Sequence, residues 1–153
     1  MSELRMLELL PDQVASHWEE LRPSIERALP PTASDDPSRM ANILASILSG
    51  ALTVHTFGFV EGTGLKIVVV MTTSLVNHVD SLNPDLLIYS LSSVVDPRVL
   101  SMEDWKEGFE LLKLYARSKG CRHIIAYSND RGIIGLQKTL GADTSYSLIK
   151  YTL

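Results

Sequence analysis

The chain holds one cysteine, Cys121, in 153 residues, so no disulfide can form within it. That fits a reducing compartment. Basic charge is also scarce: 14 Lys+Arg stand against 18 Asp+Glu, a formal net charge of -4. Nucleic-acid binders need a cationic stripe, because phosphate neutralisation supplies most of their affinity. The densest cationic stretch, Lys113 to Arg122, reads instead as the solvated face and C-terminal end of a helix, where cations are favourable. Long apolar runs are missing too. The longest, Ile67 to Met71, falls far short of the ~20 residues that cross a bilayer. The start, Met1 to Leu10, is interrupted by Glu3, Arg5 and Glu8, unlike a signal peptide. These absences predict a protein without nucleic-acid or membrane partners, not secreted by a signal peptide and cytoplasmic in its host cell.

Recognisable catalytic signatures are equally sparse. His17, His55, His78 and His123 show no metal-ligand spacing, and no Cys/His cluster exists, so no metal is expected. His78-x-Asp80 is a lone pair in an expected loop. Gly62-x-Gly64 precedes a strand, whereas phosphate-binding glycines precede a helix. No G-x-S-x-G elbow is present. Cys121 follows a helix-ending glycine and reads as a buried structural thiol.

What is present is apolar residue: 45% hydrophobic against 21% charged. That excludes disorder. A chain of this length buries roughly 70% of its unfolded surface, so one domain over 1–153 is expected to hold a core without staples. Met6 to Leu10 reads as a first strand. Pro11-Asp12 opens a helix carrying Val14, Trp18 and Leu21, which Pro23 should break or restart. Asp36-Pro37 starts another. Its Met40, Ile43, Leu44, Ile47 and Leu48 form a buried stripe closed by Gly50. Leu52 to Val60, Leu65 to Thr72 and Leu86 to Val95 read as strands of an antiparallel meander, with turns at 61–64 and 81–84. Ser101-x-x-Asp104 caps the longest helix, which Gly120 ends. Arg122 to Tyr127 is a further strand, Asp130 to Leu140 a shorter helix, and Tyr146 to Tyr151 a last strand.

This order, with Leu86–Pro97, Ala116–Tyr127 and Asp130–Ala142 as matching stretches, resembles the GCN5-related N-acetyltransferase (GNAT) superfamily. The resemblance implies an α/β (α+β) fold: a central mixed, mostly antiparallel sheet of about six strands flanked by about four helices. Residues Trp105, Gly108, Phe109 and Leu112, with Gly120-Cys-Arg-x-Ile-x-Ala-Tyr127, look like small bacteriophage acetyltransferase-like proteins, some of them virion components.

The departures from the family pattern shape the functional expectation. Family members hold the coenzyme A pyrophosphate in a Q/R-x-x-G-x-G/A loop at a helix start. Here the matching stretch, Asp96 to Trp105, has no glycine. Ser101 occupies the cap, and Glu103, Asp104 and Glu107 place negative charge where the anion would sit. The family's general-acid tyrosine falls at Gln137, which cannot protonate a thiolate; Tyr127 and Tyr146 read as structural. The expectation is therefore a degenerate, non-catalytic domain needing no cofactor. It would act as a structural or interaction module with a phage or host protein partner, in a virion or in the cytoplasm. The alternative is an active acyl-CoA-dependent N-acyltransferase binding acetyl-CoA. In that case Leu91, Ser93 and Val94 of the strand would meet the pantetheine arm, Arg98 the pyrophosphate and Asn129 the pantetheine, with a glutamate such as Glu61 or Glu107 as base. No catalytic residue is selected by the sequence, and the oligomeric state stays open.

Overall fold

The computed structural model describes residues 3–96 and 99–153. Its elements are β1 (Leu4–Leu9), α1 (Pro11–Ser16), α2 (Trp18–Arg27), α3 (Arg39–Leu48), β2 (Thr53–Glu61), β3 (Gly64–His78), β4 (Ser81–Ser93), α4 (Met102–Ser118), β5 (His123–Ala126) and α5 (Arg131–Thr139). The strands form one sheet in the order β1-β2-β3-β4-β5. β1 to β4 are an antiparallel meander, and β5 joins β4 in parallel after the α4 crossover.

The sheet is covered on both faces. On one, Val14, Leu21, Ile25, Met40, Ile43 and Ile47 of α1–α3 pack on Val54 and Val70. On the other, Leu112 and Ala116 of α4 pack on Leu4, Phe57, Val69, Met71 and Leu86. Trp18 joins the first cluster and Trp105 the second. The phage-like pattern is part of this second core: Trp105 and Phe109 pack against it, and a Cβ at Gly108 would lie 3.5 Å from Leu4 Cδ2.

Several sequence expectations shift. The first helical stretch breaks at His17 rather than at Pro23, giving five helices among the described residues where about four were expected. The His17 N–H is shared between the Gln13 and Val14 carbonyls at 3.2 Å each. Pro23 lies inside α2, on its exposed side, where the helix absorbs one missing donor. α3 starts at Arg39, because Asp36 makes a turn of its own by accepting the Ser38 N–H at 2.8 Å. The expected turn at 81–84 belongs to β4.

The expected last strand is the main correction. Tyr146 to Tyr151 is not a strand, so among the described residues the sheet has five strands where about six were expected. Its composition suits a strand, but a strand exists only when a neighbouring edge completes its ladder. Here the chain after Ala142 runs exposed.

Candidate functional site

The parallel β4–β5 pair is short. It runs from Asp85–His123 to Ile88–Ala126 and stops, while β4 continues to Ser93. The two strands therefore part in a wedge, and among the described residues β4 has no strand partner on the β5 side beyond Ile88. A bulge sits at its opening: Thr72 pairs with Ser90 and Thr73 with Ile88, so Tyr89 has no partner in β3. An inserted residue changes which backbone groups face which neighbour. Beyond it the Val94 N–H donates to the Val68 carbonyl at 2.9 Å. Since alternate residues of a strand point opposite ways, the backbone groups of Leu91 and Ser93 face the wedge.

Of the residues expected to meet a pantetheine arm, Leu91 and Ser93 thus present backbone groups there. The Val94 amide is committed to β3, and the Ser93 Oγ donates to the Val95 carbonyl at 2.7 Å. Asn129 is exposed in the segment between β5 and α5, and Arg98 lies outside the described residues. Glu61 and Glu107 are exposed, the first at the end of β2. Sequence reasoning missed Arg27 of α2. Its Nε donates to Ser92 Oγ and its Nη2 to the Ser93 carbonyl, both at 3.0 Å. The residues are 65 or more positions apart, and no local signal links them.

Openings flank the wedge on both faces. On the α3 face a cavity of about 370 Å³ is lined by Leu29, Ser34, Arg39, Asn42, Leu87 and Tyr89, among others. On the α4 face an apolar gap of about 60 Å³ lies between Ile88, Leu91, Trp105 and Phe109, closed by Gln137 and Leu140. Gln137 thus does come to the wedge, with an amide that can donate or accept a hydrogen bond but cannot supply an acidic proton. Tyr127, at the end of β5, is 42% exposed and Tyr146 is 84% exposed.

The closed end of the wedge is tied by charge. Asp85 of β4 is buried and accepts from His78 Nε2 of β3 at 2.7 Å and from Arg122 Nε at 3.2 Å, with His123 Nδ1 also at 3.2 Å. Burial pushes its carboxyl pKa up, but His78 and Arg122, by hydrogen bond and charge, outweigh burial and hold it below its ordinary value. The sequence singled out His78 with Asp80; the structure pairs His78 with Asp85 across the hairpin. Asp80 instead lies 3.8 Å from Arg122. Cys121 lies beside this cluster. Burial, with the Asp85 charge, raises its thiol pKa, consistent with a structural thiol.

The α4 N-terminus carries a capping box. Ser101 Oγ accepts the Asp104 N–H at 3.1 Å, and Asp104 Oδ2 accepts the Ser101 N–H at 2.8 Å. The Ser101 and Asp104 amides are thus bonded to the chain's own side chains, and Glu103 adds negative charge. The fit to coenzyme A is therefore divided: the β4 edge suits the pantetheine arm, and the α4 N-terminus does not suit the diphosphate.

A meander followed by a helical crossover to a parallel strand whose pairing ends early is the GNAT acetyltransferase fold. Solved structures bear this out over nearly the whole chain. The aminoglycoside acetyltransferase meta-AAC0020 from an uncultured soil metagenomic sample superposes with a TM-score of 0.68 at 16% identity, covering 98% of this chain and 96% of that one. AAC(6')-Iy in complex with CoA gives 0.66 at 16% identity, covering 100% and 96%. A Trypanosoma brucei acetyltransferase gives 0.62 at 18% identity, covering 99% and 100%. At these identities the likeness shows the fold. No family model matches the chain, and no curated protein does. The phage resemblance has no counterpart among these three structures.

Proposed function

We propose that the protein is an acyltransferase that takes an acyl group from a pantetheine thioester and passes it to an amine. The observation that supports this most is the wedge: a β4 edge whose Leu91 and Ser93 backbone groups are turned toward a strand that has ended. An amide-bearing arm laid there completes the ladder, as any added strand would. The fold's likeness to acetyltransferases, one of them solved with CoA, points the same way. This replaces the non-catalytic module as the preferred reading.

The chain's own groups suggest the division of labour. The Leu91 N–H would donate to the thioester oxygen and stabilise the charge that develops on it. The cavity beside Tyr89 would hold the acceptor amine within reach of the wedge. No carboxylate lines that cavity, and Arg39 does. A neutral or anionic amine therefore suits it better than a polycation. A pantetheine thioester, when bound, supplies the activated acyl group.

Thermal unfolding with added acetyl-CoA tests the reading. Ligand at 100 times its Kd stabilises by about 2.7 kcal/mol, several degrees for a chain of this size. Because the Ser101–Asp104 box occupies amides that a diphosphate would use, S-acetyl-pantetheine should give nearly the same shift. A second reading, an interaction module without catalysis, is favoured by the α4 capping box. It would be upheld if neither compound shifts the midpoint and no amine is acetylated.

A further inference from the structure

The cavity on the α3 face carries charge of one sign. Among the described residues Arg39 is its one charged side chain, and no carboxylate, histidine or lysine lines it. A guanidinium has five N–H donors. Arg39 donates one hydrogen bond, from Nη1 to the Ser34 carbonyl at 3.3 Å, and forms no ion pair among the described residues. Asp35 and Asp36 of the neighbouring loop are exposed and lie outside the lining, and Asp36 accepts the Ser38 N–H at 2.8 Å. Arg27, by contrast, is bonded to Ser92 and to the Ser93 carbonyl of β4.

The helix extends this polar rail. Arg39, Asn42 and Ser46 stand at i, i+3 and i+7, so they share one face of α3, and all three line the cavity. Among the described residues the Asn42 side-chain amide makes no hydrogen bond. No acidic residue stands in the first turn of α3, so the helix dipole adds to the attraction of the guanidinium for an anion. The start of α4 is the reverse, with Glu103 and Asp104 in its first turn. Leu29, Leu52 and Leu87 give the cavity an apolar wall, and Tyr89 joins it to the wedge. Its volume of about 370 Å³ is at the low end of the roughly 300–1,000 Å³ of small-molecule sites.

We propose that the acceptor is a small amine that also carries a carboxylate, of about dipeptide size. Its carboxylate is held by Arg39 and Asn42, its apolar body lies on the leucines, and its amine is turned toward Tyr89 and the wedge. Arginine takes a carboxylate through two parallel bonds, and charge-assisted bonds are roughly twice as strong as neutral ones. A cavity without a base also requires an amine that arrives uncharged. A peptide α-amine, with a pKa ordinarily near roughly 8, meets this better than an alkylamine near roughly 10. In the transfer, the amine nitrogen bonds to the acyl carbon and the C–S bond breaks with its electron pair going to sulfur. The proton shed by nitrogen ends on the thiol. The fate of the amine rests on the acyl-transfer reading, whereas carboxylate capture by Arg39 is measurable without turnover.

Leucyl-leucine and leucyl-leucine amide differ only at the C-terminus, so their α-amines titrate alike. With S-acetyl-pantetheine as donor and thiol release as the readout, kcat/KM for the acid should exceed that for the amide by about tenfold or more. This comparison is made on the wild type, so it does not depend on any variant folding. Arg39→Gln should erase the preference by slowing the acid alone. N-acetyl-leucyl-leucine, which has no amine to react, should bind the wild type in a calorimetric titration without donor, and bind Arg39→Gln about tenfold or more weakly. Equal kcat/KM for the two acceptors, or a preference that survives Arg39→Gln, would overturn the inference and leave acyl transfer standing. Arg39-dependent binding of the acetylated dipeptide with no turnover of either acceptor would uphold the carboxylate site and sink acyl transfer. Binding indifferent to Arg39→Gln, or none by the wild type at ~10 mM, overturns the inference whatever the kinetics.

Discussion

At the scale of the residue, His55 is the clearest case of a side chain whose chemistry the tertiary structure sets. It is fully buried, its Nε2 lies 2.8 Å from Thr73 Oγ1, and its ring meets Tyr115 edge-on at 4.6 Å. Burial lowers its pKa to about 4 from 6.5. Burial also raises Tyr115 to about 12, with the Glu8 charge adding to it. The unfolded chain therefore holds the extra His55 proton between pH 6.5 and about 4, and the folded one does not. Stability must fall as the pH drops through that window, by on the order of 3 kcal/mol. Asp85 acts lower on the scale. Its depressed pKa contributes stability that is present above its ordinary value of 3.8 and lost below it. Chemical denaturation of the wild type and His55→Gln at pH 7 and pH 4.5 checks this: the wild type should lose more between the two. Equal losses would assign the pH dependence elsewhere.

At the scale of the element, α4 shows a conflict between stability and ligand. The Ser101–Asp104 box satisfies donors at the helix start, and losing either side chain to alanine should cost about 1 kcal/mol. The same box occupies two backbone donors and places a carboxylate where a diphosphate would approach. Ser101→Gly/Asp104→Gly should therefore lower the unfolding midpoint and, by removing a carboxylate, tighten acetyl-CoA about fivefold. Calorimetric titration beside thermal unfolding would show the opposite signs. A variant with weaker stability and no affinity gain would mean that the diphosphate never approaches α4. This box was legible in the sequence because its partners are three residues apart. The wedge was only half legible. A strand over Leu86 to Val95 could be read, but its end at Ser93, its bulge and the early end of β5 follow from how β3, β4 and β5 register.

At the scale of the molecule, the sheet joins two cores that share no helix. Each holds one of the two tryptophans, Trp18 on the α1–α3 face and Trp105 on the α4 face. Because both cores rest on the same strands, neither face can lose its support alone, and unfolding should be a single transition. Fluorescence of Trp18→Phe reports the α4 face and that of Trp105→Phe the other. Each variant's fluorescence midpoint should coincide with its own far-ultraviolet midpoint. A fluorescence midpoint displaced from the far-ultraviolet one in either variant would mean that the faces melt separately.

By itself the sequence determined what depends on near neighbours and periodicity: the meander, the stripe of α3, the cap at Ser101, and the shortage of glycine where a phosphate would bind. Those signals are local, so they survive without knowledge of the fold. Tertiary structure decided what requires distant segments to meet. It set Arg27 on the Ser93 carbonyl, His78 and Arg122 on Asp85, and Gln137 beside the wedge. It also left the 146–151 segment without a partner, because strand propensity is a property of a segment, whereas a strand is a property of two edges.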